Sequence, residues 1–175
     1  AGLVEIGRGC GRSCRFCAAG QIYLPVRHRP VEAILEDVDT YRGVTDRIGL
    51  VGASISDHKH LRYIIKGIID RGFDLTTSSF RADMINSEVA SLLRKGGLRS
   101  ITIAPEGGSD RIRRIMHKEL TDEQIIAAAR ACADVGFRRL RLYYMIGLPW
   151  EQQDDIESIV GLTARIREVT SGAVG

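Results

Sequence analysis

Residues 8–17 read RGCGRSCRFC, and this stretch places three cysteines, Cys10, Cys14 and Cys17, in the spacing C-x3-C-x2-C. It follows a short apolar segment, residues 3–6, that is predicted to be a β-strand. Three thiolates on one loop can hold three irons of a 4Fe–4S cluster and leave the fourth iron open, whereas electron-transfer clusters normally have four cysteine ligands. The loop therefore predicts an iron–sulfur site that binds and activates a small molecule.

Two other interpretations of these cysteines stay open, a zinc site and plain core cysteines. Structural zinc sites usually combine two short Cys or His pairs into four ligands, and no second pair is present. His28 is the candidate fourth ligand, although its place between two arginines favours a solvated or anion-facing role. A disulfide framework is not expected, because three of the four cysteines crowd one loop. Cys132 falls on the apolar stripe of a predicted helix and is expected to be a core thiol.

Strand-like and helix-like patterns alternate along the chain. The predicted strands are 3–6, 48–51, 73–77, 100–104 and 140–146, and apolar stripes predict helices at about 31–41, 61–69, 89–93, 112–116, 125–132 and 156–163. Five strands, each followed by a helix, predict an α/β fold with a parallel sheet and right-handed crossovers.

The polar motifs all follow predicted strands. In α/β barrels the chemistry belongs at the carboxyl ends of the strands. The segments in these positions are the cysteine loop, Asp57 with His58, Ser79 with Arg81, Glu106, and the Gly-Leu-Pro run 147–149. Motifs from five parts of the chain are therefore expected to meet at one rim.

Composition is ordinary for a globular protein, with 44% apolar and 27% charged residues. No apolar run approaches the roughly 18 residues that span a membrane, and no signal peptide is visible. Reduced, exposed thiols predict a cytoplasmic location. The net charge of +3 is too small to indicate nucleic-acid binding.

The cysteine motif, with Phe16 directly before its last cysteine, resembles the cluster loop of the radical S-adenosylmethionine (SAM) superfamily. The segments 5–10, 14–20 and 27–30 are similar to a MiaB/NifB-like branch whose members often carry a cobalamin-binding domain upstream. Further segments of resemblance, 78–83, 104–109 and 143–149, follow in the same order, so the resemblance covers essentially the whole chain.

This resemblance implies a partial TIM-like (β/α) barrel. Radical SAM cores usually have six βα units, and about five are recognisable here. Residues 1–175 are therefore expected to be a radical SAM core domain from a longer chain, lacking the sixth strand and any upstream domain. The glycine-rich tail at 171–175 closes the segment.

The resemblance also implies an enzymatic activity. SAM would chelate the open iron, and an electron from the cluster would cleave SAM to a 5′-deoxyadenosyl radical, with Cys10, Cys14 and Cys17 as ligands and catalytic residues. A reductant such as flavodoxin or ferredoxin is implied, and cobalamin would need a domain absent from this chain. Methyl transfer, methylthiolation and ring rearrangement share this core, so the substrate is open. The alternative is a non-catalytic iron–sulfur or zinc module for redox sensing or nucleic-acid binding.

The cofactor-binding residues that the resemblance implies are Phe16, Ser79, Arg81, Glu106, Lys118 and Gly147. Glu106 would contact the SAM ribose or methionine, and its alternative is a solvated turn carboxylate. Arg81 suits the SAM carboxylate, because a guanidinium fork matches a planar carboxylate; a salt bridge to Asp83 or Asp110 is the alternative.

Four further residues carry open alternatives. Lys118 belongs to the basic run 111–118, which as a whole is expected to be a solvated face from which one cation reaches SAM. Gly147 would bring backbone close to the adenine, or would belong to a simple loop. Asp57 and His58 face the presumed cavity and would touch substrate, although a lone histidine is more often structural.

Overall fold

The computed structural model describes residues 1–170, and the glycine-rich tail at 171–175 lies outside the described residues. The strands are β1 (Gly2–Glu5), β2 (Gly7–Arg8), β3 (Arg27–His28), β4 (Arg47–Val51), β5 (Asp74–Thr76), β6 (Ser100–Glu106) and β7 (Arg139–Tyr144). The α-helices are α1 (Ala19–Ile22), α2 (Val31–Asp39), α3 (Leu61–Asp70), α4 (Ser87–Lys95), α5 (Asp110–Ile115), α6 (Asp122–Asp134) and α7 (Gln153–Val169).

Five parallel strands form the framework. β1 pairs with β4, and β4 pairs with β5, both in parallel. β6 pairs with β7 in parallel. Between β5 and β6 the link is a single parallel bridge from Phe80 to Ile103, in which the Phe80 amide donates to the Thr102 carbonyl at 2.8 Å. The five strands thus follow one another in chain order, as in a (β/α) barrel.

The helices pack side by side along this framework. α2 contacts α3, α3 contacts α4, α4 contacts α6, and α6 contacts α7. Consecutive contacts of this kind place the helices on one face, which distinguishes a singly wound partial barrel from a sheet covered on both faces. The core between helices and strands is aliphatic, with its fully buried side chains including Ile34, Ile48, Ile64, Ile65, Ile68, Leu93, Ile103 and Ile125.

The predicted fold class is confirmed, with shifted boundaries. β6 runs two residues past the predicted 104, to Glu106, and β7 ends at Tyr144 rather than at 146. Three short elements were not predicted, α1 and the antiparallel pair β2–β3. Two- and four-residue elements are too short to show a hydrophobic period, so no sequence pattern identifies them.

No helix within residues 1–170 has both the length and the apolar character to cross a membrane. This agrees with the absence of a long apolar run in the sequence.

Candidate active site

A cavity of about 180 Å³ lies at the carboxyl ends of the strands. All three cysteines of the loop line it, together with five of the six residues expected to bind the cofactor: Phe16, Ser79, Arg81, Glu106 and Lys118. The loop after β4 adds Ser54 and Ser56 to the lining. Side chains from five separate segments of the chain thus converge at the rim where the sequence predicted that they would meet.

Backbone contacts hold the cysteine loop in place. The Arg15 amide donates to the Met116 carbonyl at 3.0 Å, and the Arg15 guanidinium donates to the Ile115 carbonyl at 2.9 Å. Within the loop, the Cys17 amide donates to the Cys14 carbonyl at 3.0 Å. The loop is thus attached to the end of α5, a long-range contact that no local sequence pattern predicts.

Glu106 and Lys118 form an ion pair beside the cysteines. Lys118 Nζ lies 3.4 Å from Glu106 Oε1 and 5.8 Å from the centre of the Phe16 ring, within the range of a cation–π contact. Glu106 has a φ of +71°, and the register between β6 and β7 shifts between Ile103 and Glu106. A bulge of this kind redirects a side chain at a strand end. Glu106 is therefore paired with Lys118 in the cavity wall and is not a freely solvated turn carboxylate.

Arg81 is paired with Asp83, one of the two partners that the sequence left open. Its Nε and Nη2 atoms donate to the Asp83 carboxylate at 3.0 and 3.1 Å, and Nη2 also donates to the Lys118 carbonyl at 3.1 Å. The other suggested salt bridge, from Arg81 to Asp110, is wrong, because Asp110 pairs with Arg113. Arg81 still lines the cavity, so the contact with the SAM carboxylate stays a prediction.

The basic run 111–118 is not a solvated face, which corrects the expectation from its composition. Arg113 is 0% exposed and Lys118 is buried, while Arg114 and His117 are exposed. The buried guanidinium is satisfied by the carbonyls of Gly107, Gly108 and Leu120 and by the carboxylates of Asp110 and Asp122. Saturating a guanidinium with acceptors is what permits its burial.

Arg12 of the cysteine loop binds Asp57. Its Nε and Nη2 atoms donate to the Asp57 carboxylate at 3.1 and 2.7 Å, and the Ser54 hydroxyl donates to the same group at 2.7 Å. Burial alone would raise the pKa of Asp57, but the bonds from Arg12 and Ser54 bring it below its usual value. Asp57 therefore positions the loop, a role that sequence reasoning missed because its partner lies 45 positions away.

His58 is a buried structural residue and does not line the cysteine cavity. Its Nε2 atom lies 3.2 Å from the Arg29 carbonyl, its Nδ1 accepts from the His60 amide, and its ring stacks on His28 at 4.6 Å. Burial lowers the pKa of His58, which favours the neutral ring. Contrary to the expectation from the sequence, His58 therefore does not face the cysteine cavity, and His28, stacked on it, does not line that cavity either.

Gly147 lies away from the cysteine cavity. It is exposed, has a φ of +79°, and its amide donates to Glu151 Oε2 at 2.6 Å. The segment thus forms a tight turn before α7, and the adenine contact stays a prediction.

The thiols are suited to a cluster. Cys14 is buried, Cys10 and Cys17 are partly exposed, and none of the three forms a disulfide. Burial raises the pKa of Cys14, while the charges of Lys118 and Arg81 favour its thiolate. Within residues 1–170 no three Cys, His, Asp or Glu side chains converge on a single metal-ion position. Three thiols around one cavity fit the separated corners of a 4Fe–4S cluster better than one tetrahedral zinc ion.

Cys132 is the expected core thiol. It is buried in the hydrophobic core, and burial raises its pKa to about 12. It therefore has no part in the site.

Comparisons with known proteins agree with this site. A family model described as the Radical SAM superfamily matches residues 4–163. The uncharacterized protein MJ0966 of Methanocaldococcus jannaschii is 33% identical over 168 residues, covering 95% of this chain and 37% of that protein. The uncharacterized methyltransferase PH0819 of Pyrococcus horikoshii is 26% identical over 170 residues, covering 94% of this chain and 37% of that protein. The chain thus spans a little over a third of the length of these relatives.

A solved structure supports the fold. The radical SAM methyltransferase TsrM from Kitasatospora setae, with cobalamin and a 4Fe–4S cluster bound, superimposes with a TM-score of 0.79 at 14% identity, covering 94% of this chain and 34% of that one. The family match implies a 4Fe–4S cluster and SAM as cofactors, as the cysteine loop predicted. The chain belongs to the radical SAM superfamily.

Proposed function

We propose that residues 1–175 form the core domain of a radical SAM enzyme, in which Cys10, Cys14 and Cys17 ligate a 4Fe–4S cluster and SAM binds in the adjoining cavity. The observation that supports this is the shared lining. The three thiols and five of the six residues expected to hold SAM come from separate parts of the chain and border one space.

When bound, the cluster and SAM supply a reductive cleavage that releases a 5′-deoxyadenosyl radical. The protein's own residues position the reactants. The carboxylate of Glu106, held by Lys118, is available to hydrogen bond with SAM hydroxyl or amino groups. Arg81 and Lys118 place positive charge near Cys14, which offsets part of the rise in the Cys14 pKa that burial causes. Arg12, fixed by Asp57, holds the cysteine loop against the barrel rim.

The proposal extends to partners. A one-electron donor such as flavodoxin or ferredoxin would reduce the cluster, in the cytoplasm where thiols stay reduced. Cobalamin, which TsrM binds, would reach this chain through a further domain. The name of the relative PH0819 is consistent with a group-transfer reaction, and the substrate is left open.

The test is anaerobic reconstitution with iron and sulfide, followed by iron, sulfide and zinc analysis. Wild-type protein is expected to hold four irons with little zinc and, with SAM and dithionite, to form 5′-deoxyadenosine. Replacing any one of Cys10, Cys14 or Cys17 with Ala should abolish both the cluster and the product, because each thiolate holds one iron. Cys132→Ala is the matched control and should keep both, since Cys132 is in the core.

Two results would contradict the proposal. Full iron content in Cys14→Ala would reject the ligand set. A four-iron protein that binds SAM yet forms no 5′-deoxyadenosine would favour the non-catalytic iron–sulfur module.

A further inference from the structure

A second and larger cavity opens at the amino ends of the strands. It has a volume of about 860 Å³ and is lined by five arginines, Arg47, Arg94, Arg99, Arg138 and Arg141, here called the arginine groove. These residues lie at or near the starts of β4, β6 and β7 and at the end of α4. Most of the groove thus lies toward the end of the strands opposite the rim that carries the cysteine loop.

The charge of the groove is poorly neutralised. The one carboxylate in its lining is Asp74, which lies 4.0 Å from Arg47. Arg94 donates to the Gly136 carbonyl. Within residues 1–170, Arg99, Arg138 and Arg141 have no ion-pair partner.

Several arginines elsewhere in the molecule are used differently. Arg12, Arg71 and Arg113 each bind an aspartate of another element and hold two parts of the chain together. In the groove, three exposed guanidinium groups without such partners border one concavity. Like charges gathered in a concavity favour the binding of an oppositely charged ligand.

The rest of the lining indicates which anion fits. Hydroxyl groups of Thr76, Thr77, Ser78, Ser100 and Thr102 border the groove, and no aromatic side chain does. Guanidinium forks bind phosphate oxygens bidentately, and hydroxyls donate to the same kind of acceptor. Single-stranded nucleic acids usually need aromatic platforms for their bases, which are absent from this lining. The size of the cavity is that of small-molecule sites.

We propose that the arginine groove binds the phosphate groups of a small phosphorylated ligand. Ser78 lines both the groove and the cysteine cavity, so the two spaces adjoin. On β6, Ser100 lines the groove and Ala104 lines the cysteine cavity. Four residues of strand correspond to about 13 Å. A ligand of about that length, held in the groove by its phosphates, would present its other end to the cysteine cavity. Its assignment as the substrate of the enzyme rests on the proposed function.

The binding test uses inorganic tripolyphosphate as the probe. Calorimetric titration of the purified protein is expected to show binding that weakens as salt is raised. The variant R99Q/R138Q should bind at least about tenfold more weakly, because charge-assisted hydrogen bonds are lost. The matched control R130Q/R167Q removes two exposed helix arginines outside the groove and should change affinity by less than about twofold.

Several outcomes would overturn the proposal. One is that the protein does not bind tripolyphosphate, and another is that R99Q/R138Q and R130Q/R167Q lose affinity for it equally. The third is that a single-stranded RNA oligonucleotide binds more tightly than tripolyphosphate and that R99Q/R138Q weakens this RNA binding. A variant with Cys10, Cys14 and Cys17 all replaced by Ser should bind tripolyphosphate like the wild type. Absence of SAM cleavage by the reconstituted wild-type protein, with tripolyphosphate binding intact, would reject the proposed function and leave the groove standing.

Discussion

Arg113 joins three parts of the molecule from a fully buried position. Its guanidinium holds the turn after β6 through the Gly107 and Gly108 carbonyls and the start of α6 through Asp122. Asp122 in turn binds Arg165 of α7 at 2.5 Å. Loss of one side chain therefore leaves several acceptors without a donor.

The variant Arg113→Leu is expected to lower the free energy of unfolding by about 3 kcal/mol, because buried carbonyls and carboxylates lose their partner. The exposed neighbour offers a matched control, and Arg114→Leu should change stability by less than about 0.5 kcal/mol. Urea unfolding followed by circular dichroism measures both. A loss below about 1 kcal/mol in Arg113→Leu would show that water replaces the guanidinium contacts.

At the residue scale, the sequence predicted which side chains form the site better than it predicted which of them bind each other. The three cysteines, Phe16 and Glu106 were identified from motifs and strand ends, and they line one cavity. The attachment of Arg12 to Asp57 was missed because tertiary folding brings the pair together. The burial of Arg113 was missed because the sequence around it reads as uniformly basic.

The cysteine loop is shaped by two glycines with different constraints. Gly9 has a φ of +81°, and a Cβ there would lie 2.3 Å from the Tyr23 carbonyl oxygen. Gly11 has room, since a Cβ there would meet only Val26 at 3.6 Å. Gly9 therefore allows the loop to pass close to the segment that leads to β3.

Gly9→Ala is expected to displace the cysteine loop, because the added methyl meets a backbone oxygen and the left-handed conformation disfavours alanine. After anaerobic reconstitution it should retain less than half of the wild-type iron. Gly11→Ala, in the same loop, should retain full iron. Equal iron content in the Gly9→Ala and Gly11→Ala variants would show that the cysteine loop still binds the cluster after it is displaced.

At the element scale, the long periodic segments were predictable and the short ones were not. The apolar stripes of α2, α3 and α6 reflect real burial of Ile34, Ile64 and Ile125. The capping box of Thr121 and Gln124 marks the start of α6 as expected. The β2–β3 pair is fixed by contacts across the cysteine loop, since Arg8 pairs with Arg27, and no local pattern encodes such a contact.

At the scale of the whole molecule, the partial barrel has one cavity toward each end of its strands. The cysteine cavity lies at the carboxyl ends of the strands, where barrels place their chemistry. The arginine groove lies toward the amino ends, where conserved features usually serve stability. Because Ser78 lines both cavities, a charged ligand in one of them is expected to change the electrostatic potential in the other.

Binding of SAM should be visible as stabilisation of the whole domain. Under the proposed function SAM would contact residues from several βα units and bind the folded state but not the unfolded chain, and a hundredfold excess over Kd would then add about 2.7 kcal/mol. For a chain of this size that corresponds to a rise in Tm of roughly 5 to 10 °C. Differential scanning calorimetry of the reconstituted protein, kept free of oxygen, measures the shift.

The variant with the three loop cysteines replaced by Ser should show little or no rise in Tm with SAM, because the open iron that would chelate SAM is missing. A shift of equal size in both proteins would mean that SAM binds without the cluster, and Glu106, Lys118 and their neighbours would then be sufficient to hold it.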